Sequence, residues 1–185
     1  MNPIIEGYPD RLVIGGQPRS IRTGFRYWMQ IARMLEDESV PIWERLASLY
    51  ELAELEPTGD ALADLEAAID FLVRGEKATG KAGRRTFDFD FDAGRIIASF
   101  QQQYGLDLTD PAVKLHWWHF LDLMAGLGDD TPMMQAVRIR EAELPQGKTK
   151  AEKDRKAELL RAKRRLDIPP KNSTEALQRD LDIWE

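Results

Sequence analysis

Between Phe25 and Leu166 the apolar residues return every three or four positions, and a glycine or proline stands wherever a stripe ends. That spacing lays apolar side chains along one face of a 3.6-residue helix, so the chain is constrained to build itself mainly from helices. Phe25, Trp28, Met29, Ala32 and Leu35 form the first stripe, over 24–36. Pro41 opens the second, carried by Ile42, Leu46, Leu49, Tyr50 and Ala53. Leu62, Leu65, Ile69, Leu72 and Val73 form a third, which stops at Gly75. Ala93, Ile96, Ile97, Phe100 and Tyr104 form a fourth, with Gly105 as its C-terminal stop and Leu106 packing back. Thr109 or Asp110, followed by Pro111, reads as the start of a helix that runs to Gly126 or Gly128. Thr131 with Pro132 opens the next, through about Glu143.

Two segments complete the pattern. Thr149 and Glu152 have capping-box spacing and predict a long basic helix to about Leu166. Asn172 with Glu175 predicts a last short helix near Trp184. The exception to the helical rhythm is "RLVIGGQPRSI" at 11–21, where β-branched residues flank Gly15 and Gly16 and predict a β-hairpin. The expected fold is mainly α, a compact multi-helix domain with a short N-terminal hairpin and a basic C-terminal helical extension. Its expected divisions are a helical domain over 1–144, with a flexible loop about 75–86, and a basic helix plus short terminal helix over 145–185.

Composition narrows the chemistry. The 185 residues include no cysteine, which removes disulfides, thiolate zinc sites and thiol nucleophiles. The N-terminal residues lack the basic patch and apolar run of a signal peptide, and no segment is long and apolar enough for a membrane span. A cytosolic protein is expected. The net charge of −6 is uneven: 145–171 holds ten basic and four acidic residues, whereas 1–144 holds fifteen basic against twenty-four acidic. A basic segment on an acidic chain suits an acidic partner, a second copy of the chain, or nucleic acid.

Three motifs invite chemistry, and two fail on their own letters. "GEKATGKAG" has the glycine spacing of a phosphate loop, but Ala82 stands where a magnesium-binding Ser or Thr belongs and the preceding segment is helical. Asp88, Asp90 and Asp92 alternate as in a calcium loop, but Ala93 replaces the turn glycine and Ser99 replaces the closing glutamate. They read instead as an extended lead-in with Phe87, Phe89 and Phe91 turned inward, Asp90 or Asp92 capping the helix that follows.

The third motif is "LHWWHF", which holds both histidines of the chain, His116 and His119. Metal binding needs a third ligand that only a carboxylate could supply, so no metal or cofactor is expected. On a wheel spanning 113–127, His116, Phe120, Leu123 and Leu127 share the apolar face, with Trp117 and His119 on its margins. Trp118 falls on the polar side between Lys114 and Asp122, flanked by Leu121. Such a tryptophan is either covered by another segment, such as a C-terminal helix, or offered to a partner. Trp118, Lys114, Asp122 and Leu121 are therefore the candidate partner-binding residues.

The same letters carry a resemblance. "QQYGLDL" at 102–108, "LHWW" with Phe120, and Ile139-Arg140 resemble the bacteriophage gene-product-fifteen family, the match being strong over 87–140. His119 stands where that family commonly has lysine. The resemblance implies structural roles for Tyr104, Gly105, His116, Trp117, Phe120 and Arg140, and no catalytic residues. It further implies a tail-module protein, encoded before the tape-measure gene, that chaperones the tape-measure protein in the bacterial host cytoplasm. A structural tail component, or a nucleic-acid binder using 77–85 and 148–171, is the alternative. Met124, Met133 and Met134 are candidates for adaptable contact with a helical client.

Overall fold

The computed structural model describes residues 2–37, 39–75, 86–147 and 149–169. Their elements run α1 (Pro3–Glu6), β1 (Arg11–Ile14), β2 (Gln17–Ser20), α2 (Phe25–Glu36), α3 (Ile42–Ala53), α4 (Ala61–Leu72), α5 (Ala93–Tyr104), α6 (Trp117–Ala125), α7 (Pro132–Glu141) and α8 (Lys150–Arg165). The mainly helical fold with one hairpin is as the periodicity predicts. The phosphate-loop-like segment and the expected helix near Trp184 lie outside the described residues. No helix among the described residues is long and apolar enough to cross a membrane.

The chain divides into two compact units. The first comprises Met1–Lys81 and Lys114–Ala125; the second comprises Ala82–Val113 and Gly126–Glu185.

In the first unit, β1 and β2 pair antiparallel with Ile14 opposite Gln17. Gly15 and Gly16 both have positive φ, 56° and 78°, the backbone a two-residue turn of this twist requires. Leu12 and Ile14 are buried while Arg11 and Val13 are exposed, the alternation of a strand with one face on a core. A two-stranded hairpin is marginal alone, and here β1 packs on α4. Phe25, Trp28 and Ile31 of α2 and Leu49 and Ala53 of α3 are buried, and α2 packs on α3.

α4 corrects the sequence reading. Of its predicted stripe, Leu62, Ile69 and Val73 are exposed and Leu65 and Leu72 half-buried, and the buried residues are Asp64, Ala68 and Phe71. A carboxylate inside a core is tolerated only with partners. Asp64 accepts from Tyr50 Oη at 2.9 Å, Thr58 N at 3.1 Å and Thr58 Oγ1 at 2.6 Å. Burial works to raise its pKa, but these donors outweigh it and hold the carboxyl below its ordinary value. The neighbouring Tyr50 phenol, desolvated and facing that carboxylate, is pushed up to about 12. Asp64 thereby ties α3 and the 54–60 connection to α4, and three donors outvote the hydrophobic count.

In the second unit, Ile96 and Phe100 of α5 and Met133 and Ala136 of α7 are buried, and α5 packs on α7. Gly105 ends α5 in the left-handed region at φ 66°, and Leu106 N reaches back to Phe100 O at 3.4 Å. The capping box of α8 is present, with Thr149 and Glu152 satisfying each other's backbone N–H.

Three local expectations change. Thr109, Asp110 and Pro111 do not start a helix. Asp107 Oδ1 accepts from Thr109 N and Oγ1, and Asp110 Oδ1 from Ala112 N, so side chains hold turns there. Thr131 stands at the N-cap of α7 as expected, but its hydroxyl donates to Gly128 O and makes no cap bond to the helix. The buried Ser99 hydroxyl of α5 takes over, accepting from Met133 N at 3.0 Å. Finally, 88–92 is a turn rather than an extended lead-in, with Asp88 Oδ1 accepting from Asp90 N and Phe91 N.

Candidate partner-binding site

The helix carrying the two tryptophans is shorter than the wheel assumed. Val113 to His116 lie outside it, since Leu115 and Thr23 are engaged as backbone acceptors across an isolated bridge between Gly24 and His116. Phe25 N donates to Leu115 O at 2.9 Å and Trp117 N to Thr23 O at 2.7 Å. This bridge fixes where α6 begins. His116 then caps it: Trp118 N donates to His116 Nδ1 at 3.0 Å. A backbone N–H only donates, so Nδ1 must be the bare nitrogen, and Nε2 carries the hydrogen given to Pro9 O at 2.9 Å. The imidazole is therefore neutral and half-buried. Burial pushes its pKa below the ordinary value, and the opposing pull of the Pro9 carbonyl is weaker.

Both histidines stack on Tyr8, with ring centroids at 5.0 Å from His116 and 5.7 Å from His119. Tyr8 Oη donates to Asp122 Oδ2 at 2.8 Å. Asp122 also takes an ion pair from Arg74. Burial raises the Asp122 carboxyl, but the hydrogen bonds from Tyr8 and Arg74 overcome this and hold it below its ordinary value. Among the described residues no three His, Asp or Glu side chains converge as a metal set.

The adjacent tryptophans have one shared role. Trp117 Nε1 donates to Leu72 O at 3.1 Å, and Trp118 Nε1 to Phe71 O at 2.8 Å. These are the last two carbonyls of α4, and a helix end leaves its final carbonyls without intrahelical donors. Local donors close the rest and share one of these: Val73 N donates to Ile69 O, Gly75 N to Asp70 O, and Arg74 N also reaches Phe71 O at 3.3 Å. Arg74, in the left-handed region at φ 59°, turns its guanidinium over the Trp118 ring at 5.3 Å. A non-glycine residue there is strained. The ion pair to Asp122, the cation–π contact and the helix-end charge together hold it.

Among the described residues, Trp118 is thus covered by α4 and Arg74. Asp122 is engaged by Tyr8 and Arg74, Leu121 is half-buried, and Lys114 is exposed outside the helix, off the face it was assigned. Trp117 and Phe120 form the buried side of α6, where Phe120 stacks on Phe25 at 5.1 Å. Met133 is fully buried, while Met124 and Met134 are half-buried. Tyr8, Phe71 and Arg74 complete this cluster. Only the stop at Gly75, which implies carbonyls in need of donors, hinted at them.

The remaining motif residues organise the second unit. Gln103 Nε2 donates to Gly126 O at 2.8 Å and its Oε1 accepts from Gly128 N at 2.7 Å, a paired clamp on the turn before α7. Tyr104 sits edge-on to Phe100 at 5.5 Å. Arg140 is the centre. Its Nη1 and Nη2 meet Asp92 Oδ2 and Oδ1, each at 2.8 Å, in a bidentate pair. Its Nε donates to Leu166 O at 2.7 Å and its Nη1 also to Thr86 O at 2.8 Å. Arg140 O in turn accepts from Lys163 Nζ at 2.7 Å. One side chain on α7 therefore pins the lead-in to α5 and the end of α8. Asp92 spends its carboxylate on Arg140 and Arg95 instead of capping α5.

Among the described residues of the first unit the most exposed aromatic is Trp43, 66% exposed in the first turn of α3 beside exposed Ile42. Periodicity had placed Ile42 on a buried face.

A search of curated proteins gave no match, and neither did a search of solved structures. A family model described as "Bacteriophage Gp15 protein" matches residues 8–168, a span that takes in the hairpin, the α6 cluster and the Arg140 clamp. The chain belongs to the bacteriophage Gp15 family.

Proposed function

We propose that this phage-family protein is a non-enzymatic tail assembly chaperone that binds the tape-measure protein in the host cytoplasm. The observation that carries the reading is Trp43, two-thirds exposed with Ile42 at the start of α3, on a member of a bacteriophage family. An aromatic held on a rigid helix with an aliphatic neighbour is the type of anchor on which helical clients seat. The polar chemistry supports the same reading. The histidines, aspartates and arginines of the α6 cluster and of the Arg140 clamp are spent on each other and on backbone groups. They serve architecture, and the work left to the surface is binding.

Coexpression with the tape-measure protein of the same phage tests this. The client is expected to stay soluble and copurify with the wild type, and to aggregate with Trp43→Asp, which removes the anchor at an exposed position. A client that neither copurifies nor gains solubility with the wild type overturns the reading.

A further inference from the structure

Two helices of this chain carry exposed faces that mix apolar residues with charges of opposite sign. The outward face of α4 presents Leu62, Glu66, Ile69, Asp70 and Val73. Those positions fall at i, i+4, i+7, i+8 and i+11, one continuous stripe of a helix. The outward face of α8 presents Lys153, Ala157, Leu160, Arg161 and Arg164 at the same five intervals. On α4 the apolar residues alternate with carboxylates; on α8 the apolar pair Ala157 and Leu160 is flanked by cations on both sides. Leu62 is 65% exposed, and no residue of α8 is buried. The helices are about 18 Å and about 24 Å long at 1.5 Å per residue, so one can lie along the other for most of its length.

We infer that the outer face of α4 in one copy takes the outer face of α8 in a second copy, so that the chain self-associates. Charge complementarity selects this occupant. A foreign acidic protein or a nucleic acid on α8 would satisfy the cations and leave the acidic, apolar stripe of α4 as it is. A second copy supplies both halves at once, since every chain carries one α4 and one α8. The apolar residues at the centre, Ile69 and Leu160, lose water in the contact, and the flanking charges set its register.

Sedimentation velocity on the full chain over a range of concentrations, with a salt series, is the test. The wild type is expected to associate as concentration rises and to dissociate as salt is added, because the flanking pairs are screened. Glu66→Lys with Asp70→Lys, and separately Arg161→Glu with Arg164→Glu, are each expected to weaken association by about a hundredfold, since like charges then face each other. Mixing the two variants is expected to restore association between them, because the reversed α4 of one meets the reversed α8 of the other. Circular dichroism confirms that each variant is folded, and the salt series needs no variant at all. A wild type that stays monomeric at every concentration overturns the inference, including the case in which α8 covers α4 within one chain. So does association that ignores both reversals, or that mixing fails to restore.

Discussion

Each unit contains an arginine gripping an aspartate, under opposite conditions. In the second unit the Arg140 and Asp92 side chains are 3% and 0% exposed. In the first, Arg74 and Asp122 are 28% and 38% exposed. The buried arginine spends its donors on the carboxylate and two backbone carbonyls, and it decides where three segments of chain meet. The exposed pair is one contact in a cluster that aromatic rings and indole N–H groups also hold. Charge inside a core acts as architecture because nothing else can replace its partners, whereas charge at the rim tunes a structure that packing already defines.

Breaking the buried pair gives the largest expected effect. Arg140→Met takes the bidentate partner from buried Asp92 and leaves it Arg95, and should cost the second unit up to about 3–5 kcal/mol, measured by urea denaturation. Arg140→Lys should recover only part, because an ammonium cannot form the bidentate pair while reaching both carbonyls. Amide exchange read by mass spectrometry should place the loss at 86–92 and in the last turn of α8. The first unit should change little.

Next is Trp118→Ala, which strips a half-buried ring and one of the donors closing α4. A loss of about 1–3 kcal/mol is expected, below that of a fully buried tryptophan. Trp118→Phe keeps the ring and loses the hydrogen bond, worth about 0.5–1.5 kcal/mol. Equal losses for the two variants would show that the helix-end bond, and not the ring, carries the contribution.

The pH dependence sharpens the same comparison. His116 caps α6 only as the neutral imidazole, and its folded pKa lies below the ordinary 6.5. Below that ordinary value the unfolded chain binds the proton more readily. Stability of the first unit should therefore fall as pH drops from above 6.5 through the folded value. His116→Asn, an alternative cap that does not titrate there, should flatten the slope. A slope unchanged by that substitution would remove His116 as its source. The Asp122 carboxyl is also depressed in the folded state, but from 3.8, so its contribution is present above that value and lost only in stronger acid. Asp122→Asn should have the smallest effect, under about 1 kcal/mol near neutral pH, since solvent screens a pair this exposed.

Much of the frame is legible in the letters. The hairpin follows from Gly15 and Gly16, the end of α5 from Gly105 and the start of α8 from Thr149 and Glu152, because each signal acts within a few residues. The faces of the helices were harder to read. Counting Leu and Ile put the wrong side of α4 inward, since nothing local announces that Tyr50 and Thr58 will supply donors to Asp64. The start of α6 was misplaced because a bridge to Gly24 fixes it. Whether Trp118 is covered or offered stayed open in the sequence because the carbonyl it closes is 47 residues away. His116 was aimed correctly inward, but its role as a helix cap depends on Nδ1 reaching the backbone two residues on. Arg140 was recognisable as a motif residue, but its partner Asp92 had a simpler local reading as a cap.

The most direct measurement of the chaperone reading is light scattering as purified tape-measure protein is diluted out of denaturant, with this protein present or absent. Wild-type protein should suppress the scattering in proportion to its concentration, and Trp43→Asp should suppress it far less while remaining folded. Scattering that is the same with and without the wild-type protein would contradict the account.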